Sequence, residues 1–146
     1  AVVALVHDVA LSVGMFAVTQ LEFNLSTIAA LLTIVGYSIN DTVVVYDRVR
    51  ENLRKYKSKS LPDVLNLAIN DTLSRTTMTS VTTLLALFVL FIFGGAVIKG
   101  FVFAMIWGVI VGTYSSIFIA APLLIVLGLG DRHRSGEDKS AANSPT

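Results

Sequence analysis

The chain has 146 residues, of which 54% are hydrophobic and only 14% are charged, and its mean hydropathy is +0.75. Soluble domains average about 25% charged residues. A chain this apolar would leave a soluble core with too little polar surface, so the composition indicates an integral membrane protein. The absence of cysteine excludes disulfides, thiolate metal sites and cysteine nucleophiles. The formal net charge of +1 says little until its distribution is considered.

Four apolar segments have the composition of membrane-spanning helices, which need about 20 residues. We predict an all-α, polytopic membrane helix bundle with four transmembrane helices, at 1–18, 28–50, 76–94 and 101–128. The first segment is short for a span and begins at Ala1, not at a methionine. It also lacks the basic leader and the cleavage site of a signal peptide. We therefore expect the sequence to begin inside a longer protein.

Polar connections are predicted at 19–27, 51–75 and 95–100, followed by a polar tail at 129–146. The middle connection should contain a basic loop and then an amphipathic helix. Ser60 and Asp63 have the spacing of a helix cap, and Pro62 suits a first turn. The tail has no hydrophobic periodicity and is predicted to be disordered.

The basic residues are distributed very unevenly. Ten of the eleven lysines and arginines lie either between Arg48 and Arg75 or in the tail, and the exception is Lys99. By the positive-inside rule, the middle connection and the tail are predicted to be cytoplasmic, and the other two connections periplasmic. A basic run beside a span indicates topology and contact with anionic membrane lipids, and we expect no nucleic-acid partner.

The second segment carries an acid, Asp41, well inside the predicted span. Asp41 lies thirteen residues beyond Ile28, or about 20 Å along a helix axis, which is short of the cytoplasmic surface. A charged, unpaired carboxylate at that depth is costly, so Asp41 should face the bundle interior, find a partner or accept a proton. Burial favours the neutral carboxyl group, which suits a reversible proton carrier. The alternative is a hydrogen bond that only holds helices together.

Other polar residues lie at similar depth or on the same helix. The candidates for a relay, or for polar contacts inside the bundle, are His7, Asp8, Asn40, Tyr37 and Ser38. Because adjacent helical residues diverge by about 100°, His7 and Asp8 cannot both face Asp41. Arg75, at the mouth of the third span, would favour a charged Asp41 if the two met. Proton uptake would then require their separation, whereas an arginine in the lipid headgroups would only mark topology.

The fourth segment carries a row of small residues that suits close helix packing. The row has four-residue spacing and consists of Ala104, Gly108, Gly112, Ser116 and Ala120. Such a row lets helix backbones approach each other in lipid and serves a crossing contact. The sequence has no phosphate loop, catalytic triad or metal-ligand spacing, so we expect neither an enzyme nor a cofactor or metal site.

Three stretches carry a family resemblance: LVHDVALSVGMFAVTQLEFNLSTIAALLTIVGYSINDTVVVYDRVRENL, TLSRTTMTSVTTLLAL and GVIVGTYSSIFIAAPLL. Together they closely resemble the SecF-type members of the SecD/SecF family of protein-export membrane proteins, in the resistance-nodulation-division superfamily. The resemblance covers about residues 1–127. It implies the C-terminal part of a six-span plan, spans three to six, without the large periplasmic domain and the first two spans.

The resemblance also implies a function. Such subunits act with SecD and the SecYEG channel in the bacterial inner membrane, and they use the proton-motive force to help draw out a translocating polypeptide. It implies that Asp41 is the essential transmembrane acid and Arg75 its associated arginine, with protons as the coupling ion and a cytoplasmic C-terminus. The alternatives are half of another proton-coupled exporter of this superfamily, or a non-conducting membrane scaffold subunit.

Overall fold

The computed structural model describes residues 2–127, and within them every regular element is a helix. The elements are α1 (Val2–Thr19), α2 (Leu25–Lys55), α3 (Leu61–Phe93), α4 (Gly95–Ser115), a π-helical turn (Ser116–Ala120) and α5 (Ala121–Val126). Four helices in this range are long and apolar enough to cross a membrane, the last being α4 continued through α5. The prediction of an all-α membrane helix bundle is confirmed. The tail predicted at 129–146 lies outside the described residues.

The connection between α1 and α2 is shorter than the predicted 19–27. α2 begins at Leu25 because Asn24 caps it: the Asn24 side chain accepts a hydrogen bond from the Thr27 N–H at 3.1 Å. The Thr27 hydroxyl in turn accepts from the Asn24 N–H at 3.4 Å. This reciprocal cap satisfies donors that the first turn of a helix otherwise leaves free.

α3 runs without a break from Leu61 to Phe93, so the predicted amphipathic helix and the span predicted at 76–94 form one helix. Ser60 caps it by accepting from the Asp63 N–H, and Pro62 occupies the first turn, where proline is tolerated. The sequence prediction placed a helix boundary between 75 and 76, where the polarity of the residues changes. The backbone nevertheless stays helical through that point. α2 likewise continues to Lys55, which leaves 56–60 as the connection.

The loop predicted at 95–100 is helical, and this prediction was wrong. α4 begins at Gly95, and Gly94 alone separates it from α3. Gly95 has a φ of 72°, in the left-handed region that favours glycine, so the chain reverses within the glycine pair. Lys99 therefore lies in the second turn of α4.

α4 lies at the centre of the bundle and packs against the other three long helices. One apolar cluster contains residues from all four: Met15, Phe16, Ala30, Ile34, Leu87, Val102, Ala104, Met105 and Val109. A second cluster joins α2, α3 and α5 at the other end of the bundle: Val45, Val49, Leu65, Ala68 and Ala121. The two clusters hold α2 between its neighbours on either side of Asp41.

All five small residues of the predicted row are buried. A Cβ atom at Gly108 would overlap the side chain of Ile34, whereas one at Gly112 would meet Ser38 at an ordinary 3.7 Å. Gly108 and Gly112 of the row thus lie against α2. It then enters the π-helical turn at Ser116, where the regular four-residue spacing of an α-helix is interrupted.

Candidate functional site

Asp41 lies near the middle of α2, on its interior face, with 4% of its surface exposed. The same face buries Ile34, Ser38 and Val45, as helical periodicity requires. The carboxylate oxygen Oδ2 is buried and has no hydrogen-bond partner within residues 2–127. No ion pair in that range includes Asp41. A carboxyl group in such a position can be accommodated by taking up a proton or by approaching a cation.

Arg75, the predicted partner of Asp41, lies on the neighbouring helix α3. Its side chain is exposed, and the two residues form no ion pair in the described part of the chain. Arg75 lines an open groove of about 260 Å³ between α2 and α3. The rest of the lining is Val44, Asp47, Arg48, Glu51, Asp71 and Thr72. Asp41 and Arg75 therefore lie on neighbouring helices without pairing within residues 2–127.

Asp8, on α1, is a second buried acid, and its surroundings differ from those of Asp41. It is fully buried, and the Ser38 hydroxyl of α2 donates to its Oδ2 at 2.5 Å. His7 Nδ1 lies 3.1 Å from Asp8 Oδ1, and 34% of the His7 side chain is exposed. Of the two adjacent residues, Asp8 points into the bundle, and its partner on α2 is Ser38 and not Asp41.

Hydroxyl groups join the helices around this polar centre. Tyr37 of α2 and Ser80 of α3 are 3.1 Å apart, and Ser80 is 2.7 Å from Thr113 of α4. One turn further along α2, the hydroxyls of Thr42 and Ser116 are 3.3 Å apart. Each side chain offers both a donor and an acceptor, so these contacts can rearrange without leaving a polar atom unpaired.

The structure separates the predicted relay candidates into two groups. Asp8, Ser38 and Tyr37 take part in contacts between helices, whereas His7 pairs with Asp8 on its own helix and Asn40 is exposed on the outer face of α2. Sequence reasoning missed Thr42, whose signal was its position four residues after Ser38 on the same helix face.

The π-helical turn was also missed, and it contributes to the same region. The Tyr46 hydroxyl donates to the backbone carbonyl of Ala120 at 2.9 Å. A π-helical turn widens the backbone spacing and frees carbonyl groups for outside donors, and such turns are frequent at functional sites. No group of three potential metal ligands lies within the described residues.

Comparisons with known proteins match this chain along nearly its whole length. The family model described as protein export membrane protein SecD/SecF, C-terminal, matches residues 1–130. The protein translocase subunit SecF of Rhodobacter capsulatus is 64% identical over 140 residues, which cover 96% of this chain and 42% of that protein. The SecF of Cereibacter sphaeroides is 57% identical, over 96% of this chain and 43% of the relative. The SecF of Rickettsia rickettsii is 61% identical over 122 residues, or 84% of this chain and 40% of that protein.

A solved structure shares the arrangement of the helices. The crystal structure of SecDF in a super-membrane-facing form superposes with a TM-score of 0.85 at 46% identity, over 95% of this chain and 19% of the SecDF chain. The chain thus spans about 42% of the length of the first relative and a smaller part of the solved chain. The chain belongs to the SecD/SecF family of protein export membrane proteins and corresponds to the C-terminal region that the family model describes.

Proposed function

We propose that the chain is the multi-pass membrane part of a SecF-type subunit, which assists polypeptide translocation across the bacterial inner membrane. Its proposed partners are SecD, the SecYEG channel, the translocating polypeptide and the surrounding lipids. The relatives named protein translocase subunit SecF support the pathway, and the similarity to a SecDF structure supports the pairing with SecD. The proposed energy source is the proton-motive force, with protons as the coupling ion and without a cofactor or an enzymatic step.

The observation that carries this proposal is the buried, unpaired carboxyl group of Asp41 in the middle of a membrane helix. In the proposed cycle, a proton from the periplasmic side neutralises Asp41, and the helices adopt one packing. Release of the proton to the cytoplasm restores the charge, and Asp41 is then drawn towards Arg75. A neutral Asp41 would form no ion pair with Arg75, and the absence of such a pair within residues 2–127 supports this part of the proposal.

The available free energy suits a switch between two packings. One full charge crossing the membrane yields about 2.3 kcal/mol per 100 mV, and each pH unit of gradient adds about 1.4 kcal/mol. A complete swing from 1:99 to 99:1 needs about 5.5 kcal/mol. One proton per cycle can therefore shift the balance of α2 against its neighbours substantially, and the hydroxyl contacts around Asp41 can exchange partners as it shifts.

The test is Asp41→Asn in the full-length protein, assembled with its partners in membrane vesicles. This change keeps the shape of the side chain and a hydrogen-bonding group but cannot carry a proton. We expect assembly to be normal and the stimulation of export by the proton-motive force to be lost, with Asp41→Glu retaining part of it. Asp63→Asn is the matched control, because Asp63 is an exposed acid at the start of α3.

The two alternatives predict different results. A scaffold subunit would export normally with Asp41→Asn, because an amide preserves a structural hydrogen bond. Another exporter of the same superfamily would lose proton-driven transport of its own substrate while protein export remained unchanged. Either result would contradict the proposed function.

A further inference from the structure

One face of α3 carries a stripe of buried hydroxyl residues that faces the interior of the bundle. The stripe consists of Thr72, Thr76 and Ser80, which follow each other at four-residue spacing and are all buried. That spacing places them on one side of the helix. The contacts of Ser80 with α2 and α4 show that this side is the interior one.

Thr76 is the residue of this stripe that lies across from Asp41. α2 and α3 are joined by the short connection 56–60 and run antiparallel. The hydroxyl groups of Tyr37 on α2 and Ser80 on α3 are 3.1 Å apart. Asp41 follows Tyr37 by four residues, and Thr76 precedes Ser80 by four. In antiparallel helices both steps lead in the same direction by the same distance, so Asp41 and Thr76 lie at one level.

The next turn of both helices has the same register. Val44 of α2 and Thr72 of α3 line the same groove. They lie about one turn closer to the basic end of the bundle than Asp41 and Thr76 do. Asp41 and Thr76 are themselves buried. The two residues are thus enclosed between two positions at which α2 and α3 meet.

The hydroxyl group of Thr76 is the one on this stripe that has no hydrogen bond within residues 2–127. Thr72 donates to a carbonyl group one turn earlier on its own helix. The proton of Ser80 is also committed, because the Thr113 hydroxyl donates to the Val109 carbonyl at 2.7 Å and must therefore accept from Ser80. Thr76 alone has a proton to offer to another side chain.

We infer that Thr76 is a positioning residue whose hydroxyl group donates a hydrogen bond to Oδ2 of Asp41 during the proton cycle. Oδ2 is the carboxylate oxygen that is buried without a partner in the described part of the chain. The bond can form by rotation of the two side chains, since contacts on either side already hold the helices at this level.

This hydrogen bond would act mainly on the charged form of Asp41. A hydrogen bond to an ionised group is about twice as strong as one to a neutral group, so Thr76 favours release of the proton. Thr76 directly follows Arg75, and the bond therefore also turns the charged carboxyl group towards the helix turn that carries Arg75. This inference rests on the proposed function and adds one residue to it.

The first experiment observes the hydrogen bond in the full-length protein assembled with its partners. The infrared difference spectrum between acidic and alkaline buffer contains the C=O stretch of each carboxyl group that takes up a proton, and Asp41→Asn identifies the band of Asp41. Thr76→Val keeps the shape of the side chain but lacks the hydroxyl group. We expect it to raise the frequency of this band, because a hydrogen bond lowers it, and we expect Thr76→Ser to restore the original frequency.

The second experiment measures the consequence for export in membrane vesicles. We expect Thr76→Val to slow proton-driven export by about tenfold, the effect of losing one hydrogen bond to a charged group, and Thr76→Ser to retain most of the rate. Thr83→Val is the matched control, because the Thr83 hydroxyl donates to the Thr79 carbonyl on its own helix at 2.7 Å. It should change neither the infrared band nor export. If Thr76→Val fails to assemble, Thr76→Ala removes the same hydroxyl group and is measured in the same way.

The outcomes separate this inference from the proposed function. A band that Asp41→Asn removes but loss of the Thr76 hydroxyl group does not shift would contradict the inference and leave the proposed function intact. Normal proton-driven export with a shifted band would also contradict it, because the hydrogen bond would then not assist proton transfer. If no band depends on Asp41, its carboxyl group takes up no proton, and both the inference and the proposed function are wrong.

Discussion

Two buried acids occupy the polar centre of the bundle, and their surroundings assign them different roles. Asp8 accepts a hydroxyl hydrogen bond from Ser38, whereas Asp41 has an unpaired oxygen within the described residues. The sequence identified both by their depth in predicted spans. It could not decide which acid is satisfied, because that depends on the rotation of α1 against α2 and on the orientation of one serine. The satisfied acid suits a structural contact, and the unsatisfied one suits proton transfer.

A residue-scale prediction follows for Asp8. Asp8→Ala removes the acceptor of the Ser38 hydroxyl and should lower the free energy of unfolding by about 0.6 kcal/mol, and at most about 1.7 kcal/mol, as for other hydrogen bonds between membrane helices. Asp8→Asn keeps an acceptor oxygen and should lose less. Thermal unfolding of the full-length protein in detergent measures both.

Ser12→Ala is the control for this series. The Ser12 hydroxyl donates only to the Asp8 backbone carbonyl, one turn earlier on its own helix. Its removal breaks no contact between helices, so Ser12→Ala should change stability less than Asp8→Ala does. If Asp8→Ala is as stable as Ser12→Ala, the contact between Asp8 and Ser38 does not contribute to the packing of α1 on α2.

At the scale of elements, the sequence predicted the four helices better than it predicted their ends. Apolar runs of about 20 residues mark the spans reliably because each must match the bilayer. The positions where one helix ends and the next begins depend on local backbone conformation and on contacts between helices. The start of α4 rests on the backbone conformation of Gly95, and the π-helical turn rests on contacts with α2 that no local pattern reveals. The ion pair between Arg48 on α2 and Asp71 on α3, at 3.0 Å, likewise could not be predicted without the relative rotation of the two helices.

The row of small residues on α4 predicts that the effect of an alanine substitution on stability depends on its position in the row. Gly108→Ala places a Cβ atom against the buried Ile34 side chain and should destabilise the bundle by about 1–3 kcal/mol, the usual cost of overpacking. Gly112→Ala should be tolerated, because its Cβ would make ordinary contacts with Ser38 and Tyr37. Thermal unfolding in detergent measures the difference.

Gly36→Ala is the control, since a Cβ atom there meets nothing within 4 Å. Alanine is a better helix former than glycine by about 1 kcal/mol, so this variant should be neutral or more stable. Equal stability of the Gly108 and Gly36 variants would show that α4 and α2 are not in close contact at Ile34.

At the scale of the whole molecule, polarity is arranged for a membrane. Large apolar side chains such as Leu85, Ile92 and Val97 are exposed, while Asp8, Asp41 and several hydroxyl groups are buried. The basic residues of the described chain also lie mostly at one end. α2 and α3 meet there, and at 31 and 33 residues both helices are longer than a bilayer core of about 30 Å requires. Their excess length carries the basic segment out of the hydrocarbon region.

The direction of the proposed proton transfer depends on which side of the membrane the α2–α3 connection faces. The positive-inside rule puts the α2–α3 connection in the cytoplasm, so a cysteine at the exposed Ser58 should be protected from impermeant thiol reagents in intact cells. A cysteine at Phe23, 62% exposed between α1 and α2, should react once the outer membrane is permeabilised. Phe23 is preferable to Asn24, whose side chain caps α2. Lysis should make Ser58→Cys reactive, which controls for burial. Labelling of Ser58→Cys before lysis would show the opposite orientation, and the proposed direction of proton transfer through Asp41 would then be reversed.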